Sequence, residues 1–510
     1  MLRRETLAPM HPIRACLGVL ALAGAGELWA APSYVVSTQQ PPAVMREFRG
    51  AWVASVGNID WPSDRGLPAQ QQRAELVAIL DRAVALKLNA ILLQVRPASD
   101  ALYASSLEPW SEYLSGEQGR GPQPHYDPLE FAVAEAHRRG IELHAWFNPF
   151  RAQHVSGRSS APSHITRTRP QLVRTYGKLL WLDPGEAAVH EHVTRVVLDV
   201  VNRYDVDGVH LDDYFYPYPE KNSAGAWMKF PDDSTFRRYA GAGGKLAHAD
   251  WRRENVNVFV YRLYSAVKAA KPWVKVGISP FGIWRNGVPE GTRGLDAYEA
   301  LYADSRRWLA GGWLDYCAPQ LYWTIDSEGQ SFAALLKWWS GQNPQHRHLW
   351  PGLSTSGIGT NRRAQEILDQ VRVTRAQAGA GGEIHWSIKP LMQNRDSIAD
   401  RLAKELYSQP ALVPASPWLD KEPPLRPRLS LGTDTTGNLV VIWSADGAEK
   451  PRSWVLQSKF GNAWRTDVFA AHQAAASFKA EAMPDVVSVT AVDRAGNASP
   501  PAVAEKPRVP

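Results

Sequence analysis

Two carboxylates, Asp212 and Asp213, stand side by side in the run DGVHLDDYFYPYP of residues 207–219. A short β-like run precedes them, and tyrosines and prolines follow. Alternation along the run places Val209 and Leu211 on one face and His210 with Asp212 on the other. With the apolar pair packed outward, Asp212 points into an enclosed space, where a carboxylate is costly unless it is paired or works. Paired carboxylates at a strand end are the equipment of acid–base chemistry at a glycosidic bond. Asp212 is the first candidate for nucleophile or base. Asp213, Asp326 and Asp60 are the candidates for the acid. Glu142 and Glu383 fall near strand starts and are set aside.

Further polar and aromatic residues gather at the ends of other strand-like runs. Asn58 and Asp60 follow the first run, and Gln94 and Arg96 end the second. Trp146, Asn148 and Arg151 end the third, and Tyr214 follows the carboxylates. Trp284 comes after the fifth, Gln320, Tyr322 and Trp323 end the sixth, and Trp386 ends the eighth. Amides, guanidinium groups and indoles converging on one rim suit a polyol, whose hydroxyls need paired donors and acceptors and whose ring faces stack on aromatics. His210, one layer deeper, is placed to hydrogen-bond Asp212. A metal reading would gather His144, His210, Asp212 and His385. The first and eighth runs, RGAWVAS and HWSI, lack the ligands that a barrel metallohydrolase carries there, so neither metal nor cofactor is expected. Cys317 lies in an apolar run and reads as core.

The elements that must position these residues alternate in type. Strand-like runs at 48–56, 89–95, 141–147, 207–213, 274–280, 314–321, 348–354 and 383–388 are separated by segments of helical period. The segment 69–87 shows that period at Leu76, Ile79, Leu80, Ala83 and Leu86. Eight βα units in succession predict a (β/α)8 barrel over residues 45–407. Insertions at 96–126 and 214–250 follow strand C-terminal ends, the face on which barrels build their sites. A proline-rich stretch, 408–426, reads as a linker. Residues 427–507 alternate apolar and polar without helical period, which predicts a small β-sandwich resembling fibronectin type III.

Composition narrows the class of protein. The 510 residues are 44% hydrophobic and 21% charged, as in a globular protein. Twenty-one tryptophans are enough to line a groove as well as fill a core. Arg3, Arg4 and Arg14 precede the apolar run CLGVLALAGAGELWA, so residues 1–31 read as an export signal, too short for a membrane span. Its loss removes three arginines and two glutamates, taking the net charge from +6 to +5 (6 − 1), and leaves Cys317 as the one cysteine. The expected chain is exported, periplasmic or secreted, with no transmembrane segment after cleavage. No basic cluster interleaved with aromatics points to nucleic acid.

The motifs EFRGAWVASVGNIDWPS, NAILLQVRPASDALYASSLEPWSEYLSG, HYDPLEFAVAEAHRRGIELHAWFNPFR, WLDPG, DGVHLDDYFYPYP, VGISPFGIWRN and YCAPQLYW, in that order, resemble the bacterial glycosyl hydrolase-like family 10 proteins over about residues 45–400. The resemblance implies an exported barrel hydrolase acting on peptidoglycan glycan strands, including strands without stem peptides. It also places Asp212 and Asp213 in the motif that holds catalysis. Two other functions fit the residues: a non-catalytic glycan-binding scaffold, and a metal-dependent deacetylase.

Overall fold

The structure, a computed structural model, describes residues 34–507. These residues form two compact units, one spanning Met45–Lys421 and the other combining residues 34–44 with 422–507.

The larger unit is a (β/α)8 barrel of parallel strands: β1 (Phe48–Val53), β2 (Ala90–Arg96), β3 (Glu142–Phe147), β4 (Gly208–Leu211), β5 (Lys275–Ile278), β6 (Tyr316–Cys317), β7 and β8 (Gly382–His385). β7 is split into His348–Leu349 and Gly352–Leu353 by Trp350 and Pro351, since proline has no N–H to give the ladder. Its first half pairs with β6 and its second with β8, and β8 pairs back onto β1, which closes the ring.

Strand alternation divides the interior from the outer layer. Ala51, Val53, Ile91, Leu93, Val209 and Leu211 pack outward under the helices. Phe48, Trp52, Trp146, Tyr316 and Trp350 fill the barrel, with Phe48 stacked on Trp350 at 3.7 Å between centroids. Two strand glycines make room for these rings. A Cβ on Gly208 would lie 2.5 Å from His144, and one on Gly277 would lie 1.9 Å from the Tyr316 ring. The interior also carries a polar column. Trp52 Nε1 donates to His210 Nε2 at 3.0 Å, and His210 Nδ1 meets the Tyr316 hydroxyl at 3.0 Å. That hydroxyl meets His144 Nδ1 at 2.9 Å; His144 Nε2 meets Glu142 at 3.0 Å, and Lys275 donates to Glu142 at 2.9 Å.

The outer helices include Ala69–Ala85, which buries Leu76, Ile79, Leu80 and Ala83, and Pro128–Arg138, whose first turn is capped by the Asp127 carboxylate accepting from the N–H groups of Leu129 and Glu130. Among the described residues, no helix is long and apolar enough to cross a membrane.

The structure departs from the sequence expectations in three places. A third excursion, between β3 and the helix Ala187–Arg203, contains an antiparallel sheet of Arg151–Gln153, Val173–Tyr176 and Leu179–Leu182. Part of the stretch expected as a linker is tied to the barrel foot: Arg49 donates to Gln409 O at 2.8 Å, Ser416 Oγ meets His348 Nε2 at 2.9 Å, and Trp418 Nε1 donates to Asp315 at 2.9 Å. In the smaller unit, Val35–Val36 adds a strand ahead of the expected range by pairing with Ala502–Glu505.

The smaller unit is a sandwich of a three-stranded sheet (Arg428–Thr433, Leu439–Ser444, Ala475–Phe478) and a five-stranded one. Trp443, Trp454, Leu456, Val487 and Val489 fill the space between them. The export reading of residues 1–31 falls outside the described residues.

Glu383, at the foot of β8, carries a prediction. It is fully buried, accepts from the Tyr407 hydroxyl, and leaves its Oε2 without a partner. Burial, reinforced by Glu47, pushes its carboxyl up to about 8. A carboxyl raised on folding contributes stability below its unfolded value that is lost as pH rises through the folded one. Glu383→Gln keeps the shape without the titration, so the variant is expected to melt higher than wild type at pH 9, with the difference largely gone at pH 5. Parallel thermal melts at the two pH values check this.

Candidate active site

Asp212 and Asp213 follow β4 directly, and both are 4% exposed. They sit in a cavity of about 270 Å³ at the C-terminal mouth of the barrel. Asn148 Nδ2 donates to Asp212 Oδ2, and the Tyr214 backbone N–H donates to Oδ1 at 3.3 Å. Asn148 is itself oriented, because its Oδ1 accepts from Gln94 Nε2 at 2.6 Å. Gln94 Oε1 in turn accepts the Ser55 and Val56 N–H groups, each at 2.9 Å. Asp213 takes different partners, the Tyr218 hydroxyl and the Gln320 side chain. Gln320 is anchored by donating to Ser279 O at 3.0 Å.

Burial dominates the electrostatics of the pair. It pushes the Asp212 carboxyl up to about 7, opposed by Arg151 and reinforced by Asp213. Burial raises Asp213 as well, against the bonds from Tyr218 and Gln320. With a second raised carboxyl beside it, Asp212 can hold and release a proton near neutrality.

The cavity walls are aromatic and donor-rich. Trp386 meets Trp52 and Trp146 edge-on, at 6.1 and 6.0 Å between centroids. Tyr214, Tyr218 and Tyr322 complete the aromatic lining. Trp146 Nε1 and Arg151 Nη2 are buried without a hydrogen-bond partner. Arg151 lies 5.2 Å over the Tyr214 ring and is fixed through Nε to Pro97 O at 2.8 Å. His154, also in the wall, is pushed down to about 4 by burial, Arg151 and Arg65, and so stays neutral near pH 7.

Of the residues picked from sequence, Gln94, Trp146, Arg151 and Tyr214 line this cavity with the two aspartates, as do Gln320, Tyr322 and Trp386. Asn148 stands behind Asp212. The others are placed elsewhere. Arg96 is fully buried and spent on Glu108, at 2.7 and 2.6 Å, and on the Asn148 carbonyl at 2.6 Å. His210 bonds Trp52, Ser279 and Tyr316 in the barrel interior rather than Asp212. Asn58 braces its own loop through Pro62 O and Tyr113 O. Asp60 clamps β1 to β8, accepting from Ala54 N at 2.9 Å and Ser387 Oγ at 2.6 Å, which removes it as the acid. Asp326 is exposed on its loop and outside the lining, so it is removed too. Trp323 packs edge-on against Phe281. Trp284 lines a separate surface groove of about 490 Å³ with Arg285, Tyr298 and Arg306.

Trp52, Tyr218, Ser279 and His154 line the cavity without having been singled out. Alternation along FRGAWV could have found Trp52, since it shares a face with Phe48. His154 follows a three-residue strand with no sequence signal of its own.

The histidines of the metal reading do not converge. His144 and His210 bracket Tyr316, while His385 lies between Thr355 Oγ1 at 2.9 Å and the Tyr407 hydroxyl at 3.0 Å. Asp232, Asp233 and His248 bring ligand atoms within 4.8 Å of one another, but Arg252 already binds Asp232 through Nε at 2.8 Å.

A profile described as Glycosyl hydrolase-like 10 matches residues 47–368. The chain is 41% identical over 414 residues to a protein named glycosyl hydrolase YngK from Bacillus subtilis, covering 78% of this chain and 79% of that one. It is 36% identical over 346 residues to glycosyl hydrolase DigH of Escherichia coli K12, covering 63% and 76%. Among solved structures, the PgaB (BpsB) glycoside hydrolase domain from Bordetella bronchiseptica is similar at 14% identity and a TM-score of 0.47, covering 70% of this chain and 98% of that one.

Proposed function

Since the chain belongs to the glycosyl hydrolase-like 10 family, we propose that it is an exported glycoside hydrolase that cleaves the glycan strands of peptidoglycan, or of a related bacterial polysaccharide. The observation that carries this reading is the buried Asp212–Asp213 pair in the floor of an aromatic-walled cavity. A glycosidic bond needs a proton for its leaving oxygen and an anionic or nucleophilic group near its anomeric carbon. Carboxyls raised by burial supply the first, and indole and phenol faces give sugar rings a surface to stack on. Activity on strands lacking stem peptides follows from the resemblance of the sequence motifs, and export from residues 1–31.

The test is release of soluble fragments from purified peptidoglycan, with and without stem peptides, by wild type and by a folded Asp213→Asn variant. Fragments from wild type alone support the reading. Wild type that pellets with the glycan yet releases nothing points to a binding scaffold. One observation favours that second reading: among the described residues lining the cavity, Asp212 and Asp213 are the only carboxylates, and both sit on one strand end.

Tyr218→Phe gives a finer check. It removes one charge-assisted donor to Asp213, worth about 1.5–3 kcal/mol. Hydrolysis is expected to fall by about 10- to 100-fold, mainly in kcat, with the melting temperature lowered by a few degrees. A change in KM alone would mean that Tyr218 only binds.

A further inference from the structure

The carboxylates of the cavity are neighbours in sequence. An enzyme with its own carboxylate nucleophile, or one that activates water directly, sets two carboxyl groups on opposite sides of the scissile bond, about 5–5.5 Å or about 6.5–9.5 Å apart. Here the facing strand ends supply Trp52, Gln94, Trp146, Ser279, Tyr322 and Trp386, none of which is an acid. Among the described residues lining the cavity, no carboxylate faces the pair to attack the anomeric carbon from the far side. Asp212 and Asp213 are also held by separate sets of donors, which suits two separate tasks on one side of the sugar.

We infer that the substrate supplies the nucleophile, so that the enzyme acts on 2-acetamido sugars, with Asp212 as acid and base at the glycosidic oxygen and Asp213 as acceptor of the acetamido N–H. This rests on the hydrolase reading above and names its substrate class. In the first step the Asp212 acid gives its proton to the glycosidic oxygen. The C1–O bond breaks, its electron pair leaving with the departing sugar as a hydroxyl. The acetamido carbonyl oxygen forms a new bond to C1, closing a five-membered ring, while Asp213 accepts the N–H proton. In the second step the Asp212 carboxylate takes a proton from water as the water oxygen bonds to C1. The ring C1–O bond breaks, and Asp213 returns its proton to nitrogen. Two inversions at C1 give net retention, and no other reactant is consumed.

The walls fit the acetamido group. The edge-on Trp52, Trp146 and Trp386 give the cavity an apolar wall on which an acetamido methyl can pack, and the unpaired N–H groups of Trp146 and Arg151 can donate to acceptor oxygens on the sugar. Holding the carbonyl near C1 makes the attack intramolecular, the arrangement in which positioning contributes most. An Asp212 carboxyl poised near neutrality suits a group that must act first as acid and then as base.

The test compares N-acetylated glycan strands with the same strands N-deacetylated, re-N-acetylated and N-trifluoroacetylated, using intact wild-type protein. The trifluoroacetyl group keeps the shape but weakens the carbonyl as a nucleophile, so its strands are expected to be cut at least about tenfold more slowly. Deacetylated strands are expected to resist cleavage and re-acetylation to restore it, with the first product formed in the retained anomeric configuration. The thiazoline of N-acetylglucosamine, a stable mimic of the ring intermediate, is expected to inhibit competitively. Asp213→Asn should lose that inhibitor while Asp212→Asn keeps it, with thermal melts matching wild type at the assay temperature showing that both variants are folded. Equal rates on acetyl and trifluoroacetyl strands, or an inverted first product, would overturn the inference and leave the hydrolase reading intact. No cleavage of any strand by wild type would overturn both.

Discussion

Asp212→Asn is expected to lower glycan hydrolysis by about 10²–10⁴-fold, the usual worth of a positioned acid–base group, and in the same protein to raise stability above pH 7. The two effects share one cause. Burial holds the Asp212 carboxyl at about 7, so folding favours its neutral form. Below its unfolded value of 3.8 both states are protonated and the substitution has little effect on stability. As pH rises through about 7, the native state must ionise a buried group, and the stability its protonation had contributed is lost. The gap between 3.8 and about 7 corresponds to at most about 4 kcal/mol at 1.36 kcal/mol per tenfold. The side-chain oxygen of an asparagine still accepts from Asn148, but one bond, the 3.3 Å contact from the Tyr214 N–H, is lost at about 1 kcal/mol. Urea unfolding at pH 4 and pH 8 checks the sign. A variant less stable than wild type at pH 8 would mean that Asp212 is a structural carboxylate and not a strained functional one.

Arg96→Met is expected to cost about 3–5 kcal/mol, the range for breaking a buried ion pair from one side. The guanidinium is fully buried and satisfies Glu108 and the carbonyls of Asn148 and Pro149. Methionine fills the volume but leaves Glu108 with His192, at 2.9 Å, as its remaining charge partner. Burial pushes Glu108 up, but Arg96 and His192 outweigh it and bring the carboxyl to about 2. A carboxyl lowered on folding contributes stability above its unfolded value of 4.5 that is lost as pH falls through about 2. The gap between wild type and variant should therefore narrow as pH drops from 4.5 toward 2. Hydrolysis should fall too, because the Asn148 backbone held by Arg96 carries the side chain that orients Asp212. Unchanged stability with a raised KM would restore Arg96 to the substrate-binding role that its place in the sequence suggested.

These two residues show which part of the site a sequence exposes. Asp212 was legible because alternation over Val209–Leu211 settles its side of the strand, and a carboxylate on the inner side needs a reason. The eight strands and their helices were legible on the same ground, since burial writes a period of two or 3.6 into the chain. Arg96 and Arg151 look alike in sequence, each at the end of a strand. What separates them is Glu108, twelve residues further on, which takes the Arg96 guanidinium out of play, whereas Arg151 acts on the Asp212 and Asp213 carboxyls of the cavity. Asp326 and Trp284 were misplaced because each follows its strand by several residues, and a loop path erases the phase that the strand had set. The sheet that carries Arg151 and leads into His154 escaped notice because strands of three and four residues are too short to show alternation.

The column through the barrel has a direction as well as a composition. Trp52 Nε1 can only donate, so His210 Nε2 accepts, and burial keeps that imidazole neutral. The His210 proton is then on Nδ1 and points at the Tyr316 oxygen, which leaves the single Tyr316 proton for His144 Nδ1. His144 passes the sequence on by donating through Nε2 to Glu142. Every hydrogen along the axis thus points away from the cavity and toward the carboxylate at the foot. Bond dipoles aligned in this way polarise one another, so no one of them reverses alone. The barrel is in this sense a permanently poled core: Trp52, His210, Tyr316 and His144 hold one electrical orientation, fixed at one end by an indole that cannot accept and at the other by a carboxylate held by Lys275.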